Sequence, residues 1–140
     1  MLSVKVHART GIAVVIGGLL MVGAANTHAA DHPALVGEWG APQVRLSLGA
    51  TGGRIEFSCA AATIDAAVHP DAAGTFSVAG RHEDFTSGPA PADTPPRTTP
   101  ARFTGKVDGD ILQLSVKREG AAAETYTLQR GRRTKLIRCY

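Results

Sequence analysis

Residues Arg102–Lys117 read RFTGKVDGDILQLSVK. Apolar and polar residues alternate on both sides of Asp108-Gly109-Asp110, and an alternation with period two places every second side chain on one face of a strand. The pair Asp-Gly favours a tight turn because glycine tolerates a positive φ. The stretch therefore predicts an antiparallel hairpin whose residues Leu112, Leu114 and Val116 face a core.

Outward from this hairpin the same pattern recurs along the chain. Further alternating runs cover Leu35–Trp39, Val44–Leu48, Ile55–Cys59, Phe76–Phe85 and Tyr126–Arg130, while residues 63–68 fit either a strand or one helical turn. About eight strands with short connections predict an all-β fold, a small antiparallel meander that closes into a barrel and so avoids exposed edges. A two-sheet β-sandwich shows the same alternation and is the alternative.

The first 29 residues are predicted to be a signal peptide. Basic residues open the chain, Gly11–Ala25 is uncharged and mostly apolar, and small residues precede Ala29, which is the layout of a secretory signal. Cleavage after Ala29 leaves a single domain at residues 30–140, and the alternatives are cleavage after Ala25 or a retained anchor. The apolar run is short for a membrane span of about 20 residues, so we expect membrane contact only during export.

Removal of the signal changes the charge of the chain. Without Lys5 and Arg9 the 15 basic residues fall to 13 against 12 acidic ones, and the net charge falls from +3 to +1. The basic C-terminal stretch 130–138 lacks the interleaved aromatic side chains that stack on bases. We therefore expect no nucleic-acid partner. The predicted signal peptide indicates a secreted or periplasmic location, and we expect a monomer.

Cys59 and Cys139 are the two cysteines of the chain. In the oxidising compartment that an exported protein meets, an even cysteine count indicates disulfides. The pair has no Cys-x-x-Cys spacing, so we predict one structural disulfide instead of a metal or redox site. The alternation through Ile55 and Phe57 places Cys59 on the inward face, and Ile137 and Cys139 are expected to face inward as well.

Residues 86–100 contain five of the eight prolines. Because proline cannot donate to a strand ladder, this segment is predicted to be a loop. Loops of this length within a small domain are usually either functional or mobile.

Catalytic and metal-binding patterns are absent from the sequence. It contains no Gly-x-Ser-x-Gly, His-Glu-x-x-His or phosphate-binding glycine loop, and such motifs carry the common hydrolytic and nucleotide chemistries. Glu83 and Asp84 would point to opposite faces of a strand, and His69 and His82 are expected at the surface. We therefore predict no enzyme activity, no cofactor and no metal site in the domain, and no polar cluster within the strand pattern identifies a ligand.

A group of nitrogen ligands for a metal ion would form only at the N-terminus that signal cleavage creates. Cleavage after Ala29 would leave Ala30-Asp31-His32, whose α-amine, two amides and imidazole suit square-planar Cu(II) or Ni(II). We keep this set apart from the metal sites of the domain, for which the prediction is none.

Gly37-Glu38-Trp39 resembles the Gly-x-Trp opening of the calycin superfamily, the lipocalins and avidin-like proteins. In lipocalins an arginine late in the strand order packs on that tryptophan and closes one barrel end, and Arg130 has the matching position. The resemblance covers these two short stretches and the strand count, and the mature chain is shorter than a typical lipocalin. It implies a small secreted ligand-binding barrel in which Trp39 and Arg130 pack at one end. A core aromatic of an unrelated β-fold is the other interpretation of Trp39.

Together these features predict an exported, non-enzymatic binding module whose partner is a small apolar ligand held in the barrel. The alternative is a secreted interaction or protease-inhibitor-like protein that engages an extracytoplasmic protein through residues 86–100.

Overall fold

A computed structural model describes residues 32–85, 88–89 and 91–139. The predicted signal peptide and most of the Ala30-Asp31-His32 set lie outside the described residues. Eight strands follow in chain order: β1 Gly37–Ala41, β2 Val44–Leu48, β3 Gly53–Phe57, β4 Ala60–Ile64, β5 Thr75–Asp84, β6 Thr98–Asp108, β7 Ile111–Arg118 and β8 Glu124–Arg130. No helix occurs in the described part, and hence none there is long and apolar enough to cross a membrane.

The strands form a closed antiparallel meander in which each strand pairs with the next and β1 pairs with β8. The barrel prediction is thus confirmed and the sandwich alternative is not. The β1–β8 seam is short, with the two residue pairs Trp39↔Arg130 and Gly40↔Gln129. We call the end where β3, β5 and β7 finish the mouth, and the opposite end, where β1 begins and β8 finishes, the closed end.

The hairpin Arg102–Lys117 forms as its alternation predicts. Asp108 pairs with Ile111, so Gly109 and Asp110 make a two-residue turn. Gly109 has a φ of 57°, and the first residue of such a turn favours glycine because its φ is positive.

Apolar side chains from the inward faces fill the barrel. The largest of those that are fully buried belong to Trp39, Leu46, Ile55, Val68, Phe103, Leu112, Leu114 and Leu128. Burial of each such side chain stabilises the fold by about 1.5–3 kcal/mol. Glycine at two inward positions leaves room for rings: a Cβ at Gly80 would meet Phe103, and a Cβ at Gly105 would meet Phe76.

Two predicted strand boundaries were wrong at the closed end. Strand β4 ends at Ile64, so residues 65–68 are neither strand nor helix. Val68 is nevertheless buried, and its carbonyl accepts a hydrogen bond from the Leu35 amide at 2.7 Å. Leu35 therefore lies outside β1, because its backbone is bonded to this loop.

The predicted loop 86–100 is shorter than expected, since Thr98–Pro100 belong to β6. These residues pair with β5 on one side, and the ladder with β7 begins only at Ala101. The Pro100 carbonyl accepts from the Glu119 amide on the β7 side. In an antiparallel strand the N–H and C=O of one residue point to the same side, so the missing proline donor costs no ladder bond.

A C-terminal tail, residues 131–139, returns along the outside of β1 from the closed end to the mouth. The Gly131 amide donates to the Glu38 carbonyl, and the Thr134 hydroxyl donates to the Ala41 carbonyl at 2.9 Å. At the mouth the Cys139 amide donates to the Ser58 carbonyl. The tail therefore covers β1 close to the short seam.

Candidate functional site

Polar side chains replace apolar ones at the last inward positions before the mouth. On β5 the inward series that includes Phe76 and Val78 reaches His82. On β7 the series through Val116 reaches Arg118, and on β8 Tyr126 lies one inward position before Leu128. Because alternate residues share a face, these groups meet above the apolar core.

His82 is the most buried of these polar groups, with 5% of its surface exposed, so its predicted surface location was wrong. Its Nδ1 atom is buried and has no hydrogen-bond partner among the described residues; Asp84 Oδ1 lies 3.4 Å away. Burial is the main cause that lowers the pKa of His82, the positive charge of Arg118 lowers it further, and nearby carboxylates oppose the shift. The imidazole is therefore neutral at pH 7.

Arg118 lies between two carboxylates at the rim. Its guanidinium nitrogens are 3.6 Å from Asp84 Oδ1 and 3.6 Å from Glu124 Oε1. These are loose contacts between partly exposed groups, and such pairs contribute little to stability. Tyr126 donates to Glu124 Oε2 at 2.8 Å, and its burial, followed by this hydrogen bond, raises its pKa to about 12.

Three rings form one wall of the mouth. The centroid of Phe57 is 5.9 Å from that of His82 and 5.4 Å from that of Tyr126, with tilted planes. These separations are typical of favourable aromatic pairs. The wall therefore holds His82 between an apolar surface and the carboxylates.

These groups surround a cavity of about 240 Å³. Its lining consists of Phe57, Cys59, Ala60, His82, Asp84, Arg118, Glu124 and Tyr126. With two carboxylates, one guanidinium and a neutral imidazole, the lining carries a net charge of −1. The strand pattern therefore contains a polar cluster at the mouth.

The structure places Cys59 and Cys139 together as predicted, in a disulfide with a Cα–Cα distance of 5.1 Å. Their inward orientation was wrong: both are exposed, and Ile137 is 69% exposed. Strand β3 ends at Phe57, so its alternation no longer applies at Cys59, and the tail is not a strand. The disulfide suggests an oxidising, extracytoplasmic location.

Trp39 and Arg130 meet at the closed end. The guanidinium carbon lies 4.1 Å from the Trp39 ring, and Arg130 Nη1 donates to the Val36 carbonyl at 3.0 Å. Gly37 has a φ of 130°, and a Cβ there would lie 2.9 Å from Arg130 Nη1. The motif Gly37-Glu38-Trp39 thus has a physical basis, because the glycine leaves space for the arginine that covers the tryptophan.

A larger concavity of about 570 Å³ lies on the outside of β6–β8. Hydroxyl and amide groups line much of it, including Thr104, Gln113, Ser115, Thr125 and Thr127. Its lining includes neither of the two buried side-chain nitrogens that lack a partner in the described part, Trp39 Nε1 and His82 Nδ1. Trp39 instead lines a concavity of about 550 Å³ beside the tail, together with residues such as Arg45 and Arg132. The mouth differs from it by combining a buried histidine with an aromatic wall, and we place the candidate site there.

No group of three or more metal-ligating side chains occurs among residues 32–85, 88–89 and 91–139. The described part of the loop, residues 88–89 and 91–97, is exposed and lies next to the mouth, where the Phe85 amide donates to the Cys59 carbonyl.

Sequence reasoning missed His82, Arg118, Glu124 and Tyr126 as a group. The alternation along the strands could have identified them, because each lies at an inward position in register with the apolar residues of its own strand.

Comparison with known proteins adds no relative: no family model, no curated protein and no solved structure matches this chain. The likeness to calycins therefore rests on the residues Gly37, Trp39 and Arg130 and stays a prediction.

Proposed function

We propose that this chain is an exported, non-enzymatic binding module that takes a small molecule into the mouth cavity. The observation that carries the proposal is a cavity lined by His82, whose buried Nδ1 atom has no hydrogen-bond partner in the described part of the chain. A buried polar atom without a hydrogen bond costs about 1–3 kcal/mol. A ligand that supplies the bond would recover that free energy.

The packing supports a site at the mouth instead of one deep in the barrel. Side chains such as Phe103, Leu114 and Leu128 occupy the interior, whereas the mouth combines an aromatic wall with a few polar groups. Ligand sites commonly have this composition. An apolar ligand body would contact Phe57 and Tyr126.

Binding, as opposed to catalysis, is supported by the state of the reactive groups. Cys59 lines the cavity but is held in the disulfide, so it supplies no thiolate. Arg118 and Tyr126 already contact carboxylates. The remaining groups of the lining would position a ligand. Among the described lining residues, none next to His82 supplies a nucleophile.

The proposed function includes export of the chain. The basic start, apolar run and small residues of the first 29 positions support removal of a signal peptide, and the disulfide agrees with a secreted or periplasmic site of action. We propose a monomer that meets the membrane only during export.

Native mass spectrometry of the protein tests this function. Wild-type protein purified from its own source should carry a small-molecule adduct in native mass spectrometry, and His82→Phe should lose it. His69→Phe, at an exposed histidine, is the matched control and should keep it. A wild-type protein without any adduct, whose unfolding temperature no member of a small-molecule library raises, would contradict the proposal.

A second candidate function is supported by the way the 86–100 loop is held. Glu83 pairs with Thr98 across its base, and the disulfide lies beside it. Prolines restrict the chain and reduce the entropy lost on binding. As a secreted inhibitor-like protein, the chain would inhibit an extracytoplasmic protease, and replacement of residues 88–97 by a Gly/Ser linker would abolish inhibition without affecting the His82-dependent adduct.

A further inference from the structure

We infer that the ligand of the mouth cavity is an organic monocation, a protonated amine carried on one compact apolar ring. This inference rests on the proposed function and specifies its ligand class.

Charge is the first argument. Asp84 and Glu124 contribute two negative charges to the lining and Arg118 contributes one positive charge. A monocation brings this set to neutrality. An anion would have to approach Arg118 between two carboxylates, and like charges repel more strongly where protein displaces water.

Hydrogen-bonding capacity is the second argument. The carboxylates accept only, and a neutral imidazole has one accepting nitrogen in either tautomer. Tyr126 already donates its proton to Glu124, so its oxygen is left to accept. An ammonium group has three donors and no acceptor, which fits a lining that mainly accepts.

The aromatic wall is the third argument. The rings of Phe57 and Tyr126 lie side by side, 5.4 Å between centroids. Aromatic faces attract cations through the ring quadrupole, most strongly when water is excluded. The same surface binds the apolar body of the ligand, so one wall serves both parts of an aminoalkyl-substituted ring.

The volume of the mouth cavity limits the size of the ligand. An apolar cavity of roughly 150 Å³ accommodates benzene, and the mouth cavity measures about 240 Å³. One ring with a short amine-bearing arm fits this space.

The experiment compares three probes of similar shape and different charge: benzylammonium, benzyl alcohol and benzoate. Each is titrated into the disulfide-bonded mature chain at pH 7 and followed by heteronuclear NMR. Benzylammonium should bind about tenfold more tightly than benzyl alcohol, should shift signals of His82 and Tyr126, and should lose affinity as salt rises. Benzoate should not bind.

Charge variants give an independent measurement. Asp84→Asn and Glu124→Gln should each weaken benzylammonium binding about threefold to tenfold without changing that of benzyl alcohol. Asp108→Asn, at the closed end, is the matched control and should leave both affinities unchanged. If a variant fails to fold, the salt dependence of benzylammonium binding to the wild type tests the role of the negative charges instead.

Tighter or equal binding of benzyl alcohol or benzoate at His82 overturns the monocation while the binding function stands. Absence of binding by all three probes at about 10 mM also overturns the monocation, and the charge of the native adduct then decides the ligand class. Loss of the proposed function itself would show as a wild-type protein without adduct.

Discussion

The guanidinium of Arg130 stacks on the indole of Trp39, 4.1 Å from its ring, and the same two residues are paired neighbours in the β1–β8 seam. One contact thus links backbone closure of the barrel to side-chain closure of its end. Arg130 Nε also lies 3.4 Å from Asp110 Oδ1 in the β6–β7 turn, so three elements meet at this side chain.

Arg130→Ala should lower the free energy of unfolding by about 1–2 kcal/mol, because the cation–π contact and the hydrogen bond to Val36 are both lost. The tryptophan fluorescence should change too, since Trp39 is the only tryptophan and loses its cover. Urea unfolding followed by fluorescence measures both effects. Arg133→Ala, at an exposed tail position, should produce neither, and equal, negligible effects from the two variants would remove the stabilising role of Arg130.

Gly37→Ala should destabilise the fold by about 2 kcal/mol or more, because a side chain at φ 130° is strained and its Cβ would crowd Arg130. Gly109→Ala gives the cost of a positive φ without crowding. Gly109 also has a positive φ but has no atom within 4 Å of the added Cβ, so that variant should cost only about 1 kcal/mol. Similar losses in both variants would show that the contact with Arg130 is unimportant.

Loss of the disulfide should be costly for a domain of this size. The bond closes a separation of 80 residues, and the double variant Cys59→Ser/Cys139→Ser should lose about 4–5 kcal/mol in the chain-entropy model. Unfolded, unreduced wild type should contain no titratable thiol. Reductant should destabilise the wild type and leave the double variant unchanged, and two free thiols in the unreduced wild type would contradict the bond.

His82 should make stability depend on acid pH. The folded protein holds the pKa of His82 below 6.5, whereas the unfolded imidazole takes up a proton near 6.5. Stability from this group is therefore complete above pH 6.5 and decreases as the pH falls below it, by at most about 1.4 kcal/mol per pH unit.

His82→Gln isolates this contribution. The charged groups that influence the ring are Arg118, Asp84, Glu83 and Glu124, and all of them remain in the variant. Between about pH 7.5 and pH 5 the variant should lose less stability than the wild type, as measured by urea unfolding at each pH. An unchanged difference between the two pH values would show that His82 takes up no proton on unfolding.

Local signals were sufficient to predict the barrel. Alternation and an Asp-Gly turn define the hairpin at 102–117, where the partner strand is only two residues away. The contact of Trp39 with Arg130 spans most of the chain, yet it also follows, because a closed meander brings the first and last strands together.

Alternation predicts orientation only while a strand lasts. Cys59 lies two residues beyond the end of β3 and Cys139 lies in the tail, so their bond was predictable from cysteine count and their orientation was not. At His82 the alternation did indicate the inward face. Its position in the strand, and not its residue type, determines that His82 is buried.

The mouth, not the barrel interior or the outer face of β6–β8, is the proposed binding site for a small molecule. Titration of a fragment library into ¹⁵N-labelled, disulfide-bonded protein tests it directly. Binding fragments should shift the amide signals of Phe57, His82 and Arg118 and leave those of Trp39 and Thr104 unchanged. Shifts confined to Thr104 and its neighbours on the outer face, or no shift from any fragment, would contradict the claim.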